Sequence, residues 1–225
     1  MTPPRTLATA EEIHAHLVDR LNQALRRTGM FGGELALRIL LEHLLFVEGR
    51  PEAFTRQRQD WEDRGLWSAI GITGAFREVI PGRNYEYGMA SVYAEFAQRS
   101  GWLEPDRVLG QEEYDSLTAR VRQWAREDRT WEDVTAEFGA PSVLFGGPNP
   151  RYGKTLGYLA RDPERPMVLF HLWNGSDSEP DGWPPDHEQP LLLAVRFGEG
   201  PFHGSLTFTP EGERRKPPAE QCLPQ

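Results

Sequence analysis

Few residues in this chain combine the type and the spacing that chemistry needs. Gly153-Lys154-Thr155 is the first such group. A phosphate loop, G-x-x-x-x-G-K-[ST], carries that triplet, but it needs glycine at position 148, where this chain has Pro148. Pro148 and Pro150 also remove backbone N–H groups that a phosphate cradle requires. The residues after Thr155 alternate as a strand does, whereas a phosphate loop leads into a helix. Nucleotide binding through this loop is therefore set aside. What remains is a Gly/Pro-rich connection presenting Asn149, Arg151, Tyr152 and Lys154. An aromatic ring flanked by two cations suits a recognition tip.

The second group is acidic. Residues 174–190 join two strand-like segments and hold Asp177, Glu179, Asp181, Asp186 and Glu188, with no Lys or Arg. Asp177-x-Glu179-x-Asp181-Gly182 followed by Glu188 approaches the spacing of a calcium loop. Glu at the third position, Pro184-Pro185 in the half that must fold back, and strands in place of flanking helices all argue against it. The better expectation is an acidic, partly disordered loop, with Trp183 in its middle as an anchor for a partner. Asn174 stands at its start.

The histidines do not form a metal set. His14 and His16 point to different faces of a helix. Glu11-x-x-His14 is a single E-x-x-H, where a carboxylate-bridged di-metal bundle needs two. His171 sits between Phe170 and Leu172 on a strand. If those two face the core, His171 faces outward beside Asn174 and the acidic loop. There is no G-x-S-x-G elbow. The only cysteine is Cys222, so neither an internal disulfide nor a cysteine-based zinc site is open to this chain. No metal and no cofactor are expected.

The elements that must position these residues follow from periodicity. Thr9 and Glu12 make a capping box, and Ile13, Leu17, Leu21 and Leu25 follow at four-residue spacing up to Gly29. Residues 33–47 are apolar nearly all round, with Glu34, Arg38 and Glu42 as one polar stripe on a buried rod. Phe54 and Trp61 mark a third helix after Pro51. Residues 65–82 read as a short helix, a turn and a second short helix. Helices over 85–100 and 111–128 complete the first 129 residues. Thr130 and Asp133 then cap a short helix that Gly139-Ala140-Pro141 ends. Period-2 segments follow at 142–145, 155–160, 167–173, 191–197 and 205–209, separated by Gly, Pro, Asn and Asp. Sequential strands with short links predict an antiparallel meander. The fold class is α+β: a helical part over 1–129, then a helix and a four- or five-stranded antiparallel sheet over 130–209. Residues 210–225 read as a mobile polar tail.

Composition bounds the rest. The chain has 225 residues, 38% of them hydrophobic, enough to bury a substantial core. Arg38 and Glu42 interrupt its most apolar stretch, so no membrane span is expected. Residues 1–16 lack the pattern of a secretory signal, which favours a cytoplasmic location. The net charge of −9 repels phosphates and disfavours nucleic acid as a partner. Only Lys154 and Lys216 among the 25 basic residues are lysine, and the arginines are scattered, as codon bias in a GC-rich genome would leave them.

Thr130-Trp131-Glu132-Asp133-Val134, then Phe138-Gly139-Ala140-Pro141-Ser142, leads into Thr155-Leu156-Gly157-Tyr158. This run of about 45 residues resembles the helix, G-x-P-S turn and strand arrangement of β-lactamase-inhibitor-like and small outer-membrane lipoprotein modules. The resemblance implies a sheet packed on helices and a protein that binds another protein. The lipidated cysteine of the outer-membrane members is missing here, so their role does not carry over. Together these features point to a non-catalytic acidic protein-binding module of immunity or inhibitor type, with a basic protein as partner. Its binding residues would be Arg151, Tyr152, Lys154, His171, Asn174 and Trp183. The alternative is an enzyme or small-molecule binder with a cleft between helices and sheet near His171.

Overall fold

In a computed structural model, the structure describes residues 7–82, 84–176 and 184–217. Helices α1 (Ala10–Arg26), α2 (Gly33–Val47), α3 (Ala53–Asp63), α4 (Ile72–Arg77) and α5 (Tyr85–Arg99) come first. They are followed by α6 (Gln111–Trp124) and α7 (Trp131–Phe138). Strands β1 (Val143–Phe145), β2 (Lys154–Tyr158), β3 (Val168–Trp173) and β4 (Leu191–Arg196) follow. A helical turn α8 (Phe202–Ser205), strand β5 (Leu206–Phe208) and α9 (Pro210–Arg215) close the described chain. The five strands form one antiparallel sheet in the order β1-β2-β3-β4-β5.

The helix starts follow their local chemistry. Both capping boxes form: Thr9 with Glu12 at α1, and Thr130 with Asp133 at α7. Gly139 ends α7 with φ of +74°. Residues 65–82 hold one helix, α4, preceded by a tight turn in which Ser68 and Gly71 exchange backbone hydrogen bonds.

Both faces of the sheet are covered. Leu169, Trp173, Val143 and Phe145 join the core of α1–α5 with Leu21, Leu41, Phe76, Met89 and Tyr93. Leu156, Tyr158, Val168, Phe170, Leu172, Leu192 and Val195 face the other way. They pack on Tyr114, Leu117 and Val121 of α6 and Val134 and Phe138 of α7. The molecule is thus three layers, with the sheet in the middle. No residue of β2 or β3 reaches solvent appreciably. An antiparallel sheet more often keeps one wet face.

Two expectations change. The polar stripe of α2 does not lie outward as a unit. Glu34 turns in, accepting from the backbone N–H groups of Ile72 and Thr73 at 2.8 and 2.9 Å and from the Tyr93 hydroxyl at 2.8 Å. It neutralises the exposed donors at the start of α4. Arg38 lies over the Trp67 ring. Leu35, Ile39 and Phe46 take the outward positions. The first part of the expected tail, residues 210–215, is folded as α9. Thr209 caps α9 by accepting from Gly212 N–H, and Gly212 packs so closely on the Leu193 carbonyl that a Cβ there would stand 1.9 Å away. Residues 218–225 lie outside the described residues. Among the described residues, no helix is long and apolar enough to cross a membrane.

Candidate functional site

The glycine-rich connection between β1 and β2 builds a cleft with the end of α1 and the start of α5. The Gly146 N–H donates to the Arg26 carbonyl at 3.0 Å, which ties the connection to α1. Gly146 has φ of +107°, and a Cβ there would press on the Tyr87 ring and the Lys154 Cβ at 3.3 Å. Only glycine lets the chain turn beneath that ring. The Arg27 guanidinium lies over Gly147, 3.0 Å from where a Cβ would stand. The resulting cleft of about 410 Å³ is lined by Arg27, Met30, Tyr87, Pro148, Asn149 and Tyr152, with Gly29, Gly146 and Gly147 as backbone floor. That volume suits an organic group or an inserted side chain.

Lys154 holds this cleft from behind. It is fully buried. Its Nζ donates to the carbonyls of Gly147 and Asn149 at 3.0 and 2.8 Å and sits 3.8 Å from the centroid of the Trp131 ring. No carboxylate among the described residues is paired with it. Burial pushes its ammonium down to about 8, and the neighbouring Arg27 charge adds to the shift. Lys154 is therefore a clamp on the loop, not the exposed recognition cation the sequence suggested. A strand with both faces covered leaves an alternating residue no route to solvent.

Tyr152 is where the sequence placed it, on the rim and 42% exposed. Arg151 is exposed. Its backbone N–H bonds the Asn149 side chain at 3.0 Å, and its guanidinium reaches the Pro185 carbonyl at 3.4 Å. Asn174 is buried, and its amide donates to the carbonyls of Arg151 and His187 at 2.9 and 2.8 Å. It fastens the cleft loop to the segment that returns toward β4. Arg151, Tyr152, Lys154 and Asn174 therefore come together. Trp183, with Asp177, Glu179, Asp181 and Gly182 of the calcium-like spacing, lies outside the described residues.

His171 does not belong to this group, and its expected outward orientation is corrected. The ring is 1% exposed on the face of the sheet that meets α4 and α5. Its Nδ1 shares a hydrogen bond with the Thr155 hydroxyl at 3.0 Å, and its edge meets the Phe76 ring at 5.3 Å. Its Nε2 is buried with no partner among the described residues. Burial first, and the Arg196 charge second, hold the imidazole well below its ordinary range. Phe170 and Leu172 do face a core, as the sequence implied. The opposite face is a core as well.

The sequence reading missed Arg27, Met30 and Tyr87. Arg27 and Met30 fall at the end of a helix whose apolar positions drew attention elsewhere. Tyr87 opens a helix read only for its inward face. The legible signal was Gly146-Gly147, a flexible step with no need of its own unless bulky groups close over it. The Arg27 guanidinium has no hydrogen-bonded or ion-paired partner among the described residues. The Glu86 carboxylate lies nearby, against Gly29. Burial raises the Tyr87 hydroxyl, Glu86 adds to the rise and Arg27 opposes it. Among the described residues, no three of His, Cys, Asp and Glu converge as a metal site would require. No family model, no curated protein and no solved structure matches this chain.

Proposed function

We propose that this protein is a binding module whose recognition surface is the cleft beneath Tyr152, and that its ligand is an apolar or aromatic side chain of a protein partner with an acidic group beside it. The observation that carries this reading is the Arg27 guanidinium, with no hydrogen-bonded or ion-paired partner among the described residues, at the mouth of an aromatic, glycine-floored cleft. Met30, Tyr87, Pro148 and Tyr152 supply apolar wall, and Arg27 supplies a planar fork for a carboxylate. Tyrosine and arginine around a pocket are the side chains that most often dominate interface energetics. Lys154 and Asn174 fix the loop in advance, which lowers the entropy lost on binding. The resemblance to inhibitor-like modules points the same way, and the immunity or inhibitor role remains part of the proposal. A catalytic role for His171 has less support, because its ring is sealed and carries no accessible partner.

A photo-crosslinking residue at Tyr152, with the same residue at the distant Arg58 as control, tests the reading in the cells that make the protein. One protein should crosslink from position 152 and not from 58. Once purified, it should bind the unmodified chain and lose at least about tenfold in affinity to Tyr152→Ala. Equal crosslinking from both positions, or no effect of Tyr152→Ala, would overturn it.

A further inference from the structure

Around Gly147 the floor of the cleft carries donors without acceptors. Where a Cβ of Gly147 would stand, the Arg27 Nη1 is 3.0 Å away and the backbone N of Asn149 is 3.9 Å away. Both nitrogens therefore lie on the same side of Gly147, no more than about 7 Å apart. Among the described residues, the N–H groups of Gly147 and Asn149 make no hydrogen bond, and neither does the guanidinium. The acceptors of the same stretch are engaged elsewhere, because the Gly147 and Asn149 carbonyls turn to the buried Lys154 Nζ. Backbone donors beneath a guanidinium, with their carbonyls drawn away, have the composition of an anion-binding nest. Resting on the reading of the cleft as a recognition surface, we propose that this nest receives the C-terminal carboxylate of the partner chain, and that the cleft receives the apolar side chain of that same last residue.

The spacing selects a chain end. Gly147 carries the nest, and Gly146, one residue or about 3.8 Å along, lies against the Tyr87 ring. The carboxylate and the apolar group of the ligand must therefore stand about one residue's span apart. In a C-terminal residue both branch from one Cα. In an extended peptide, an acidic side chain next to an apolar one points to the opposite face, and one two residues on is roughly 6–7 Å away. Charge selects a carboxylate. Its two oxygens, each accepting at about 2.9 Å, bridge donors at this separation. Glu86, at the Gly29 end of the floor, repels a second negative charge and so disfavours a phosphate group. Met30, Tyr87, Pro148 and Tyr152 leave room for one large apolar side chain in the remaining cleft.

Three short peptides are the probes, each added to the full chain. One is acetyl-Gly-Gly-Phe with a free C-terminus, and the second is its C-terminal amide. The third is acetyl-Gly-Asp-Phe amide, which keeps one carboxylate but places it on an internal side chain. Amide NMR titration to about 10 mM covers the affinity that a single seated residue supports. The free acid is expected to bind and to move the Gly147 and Asn149 amide signals. Both amidated peptides should bind at least about tenfold more weakly. Arg27→Gln and Tyr152→Ala should each weaken the free acid by a similar factor. Equal binding of the free acid and its amide would overturn the proposal. So would an Asp-containing amide as tight as the free acid, or unmoved Gly147 and Asn149 signals at the highest concentration. Crosslinking from position 152 does not depend on these peptides. A partner captured there after such a result would leave the cleft reading standing and reject only the chain-end ligand.

Discussion

The two faces of the sheet solve burial differently. Toward α6 and α7 the contacts are apolar and aromatic. Phe170 meets Trp124, Phe138 and Tyr158 at centroid distances of 6.2, 5.3 and 5.3 Å. Toward α5 the same strands bury Thr155, His171 and Arg196 among Leu169 and Trp173. Arg196 is 1% exposed and pairs with Glu95 of α5 at 3.0 Å. Its Nε, like the His171 Nε2, has no partner among the described residues. One face gains its stability from shape and area. The other accepts desolvated charge, whose benefit depends on every partner being in place. The difference lies in how each face meets its helices: ring against ring toward α6 and α7, where Lys154 is the one buried charge among the described residues, and an ion pair toward α5.

The sharpest way to break that contrast is to delete one ring and one charge. Phe170→Ala removes a fully buried aromatic and should lower unfolding free energy by about 3–5 kcal/mol in a urea titration. Glu95→Ala leaves Arg196 buried and unpaired and should cost about 3 kcal/mol or more. Replacing both partners, Glu95→Leu with Arg196→Met, should recover most of that loss, because no orphaned charge remains. If the double variant were as unstable as the single one, the ion pair would be stabilising on balance, and the polar face would not differ in kind from the aromatic one.

Acid separates the faces next. The His171 imidazole is held below its ordinary range, so the unfolded chain takes up a proton at a pH where the folded chain does not. Stability should therefore be unaffected by this group well above pH 6.5 and fall as pH drops below it, by at most about 1.4 kcal/mol per pH unit. His171→Gln should flatten that limb of the profile measured by urea midpoints. A limb of equal slope in the variant would place the acid sensitivity elsewhere.

The order of the elements was legible because short-range chemistry specifies it. Two capping boxes, Gly139 and five period-2 segments locate α1, α7 and the strands to within a residue or two. The double burial of the sheet was legible only in part. Val168-Leu169-Phe170-His171-Leu172-Trp173 is apolar at both parities, the mark of a strand covered on both faces. A single histidine in that run invited the reading of an exposed side. Glu34 was misread for the converse reason. A charged residue on an apolar helix reads as solvated, and nothing local announces that the start of α4, nearly forty residues on, needs a carboxylate. Within the cleft, Tyr152 was legible as a loop aromatic. Arg27 and Tyr87 were not, because their meeting is set by packing of α1, α5 and the β1–β2 connection.

Lys154 extends the contrast to alkaline pH. Burial lowers its ammonium from the ordinary 10.5 to about 8. Between those values the folded chain has released a proton that the unfolded chain still holds, so this group makes stability rise as pH increases from 8 toward 10. Above that, burial raises the hydroxyls of Tyr114 and Tyr158, and the trend reverses as the unfolded tyrosines ionise first. Lys154→Met should abolish the rise. It should also loosen the carbonyls of Gly147 and Asn149, which hydrogen exchange at Pro148-flanking amides would report as faster exchange confined to the loop.

Arg27→Gln should have the smallest effect on folding and is the cleanest test of what the cleft is for. The guanidinium is exposed and unpaired among the described residues, so its loss removes no ion pair and little packing. The urea midpoint should stay within about 0.5 kcal/mol of the parent chain. Removing the positive charge also relieves its repulsion on Lys154, so the alkaline limb should move slightly toward higher pH. Binding should respond in the opposite proportion. A partner that seats a carboxylate on the guanidinium loses a charge-assisted bond worth about 1.5–3 kcal/mol, roughly a ten- to hundredfold loss of affinity. Because the glutamine keeps a planar amide and much of the stem, the loss should appear mainly in dissociation when the contact is direct. Faster association in low salt for the parent chain alone would instead show that Arg27 acts at a distance, steering an acidic group on the partner without touching it.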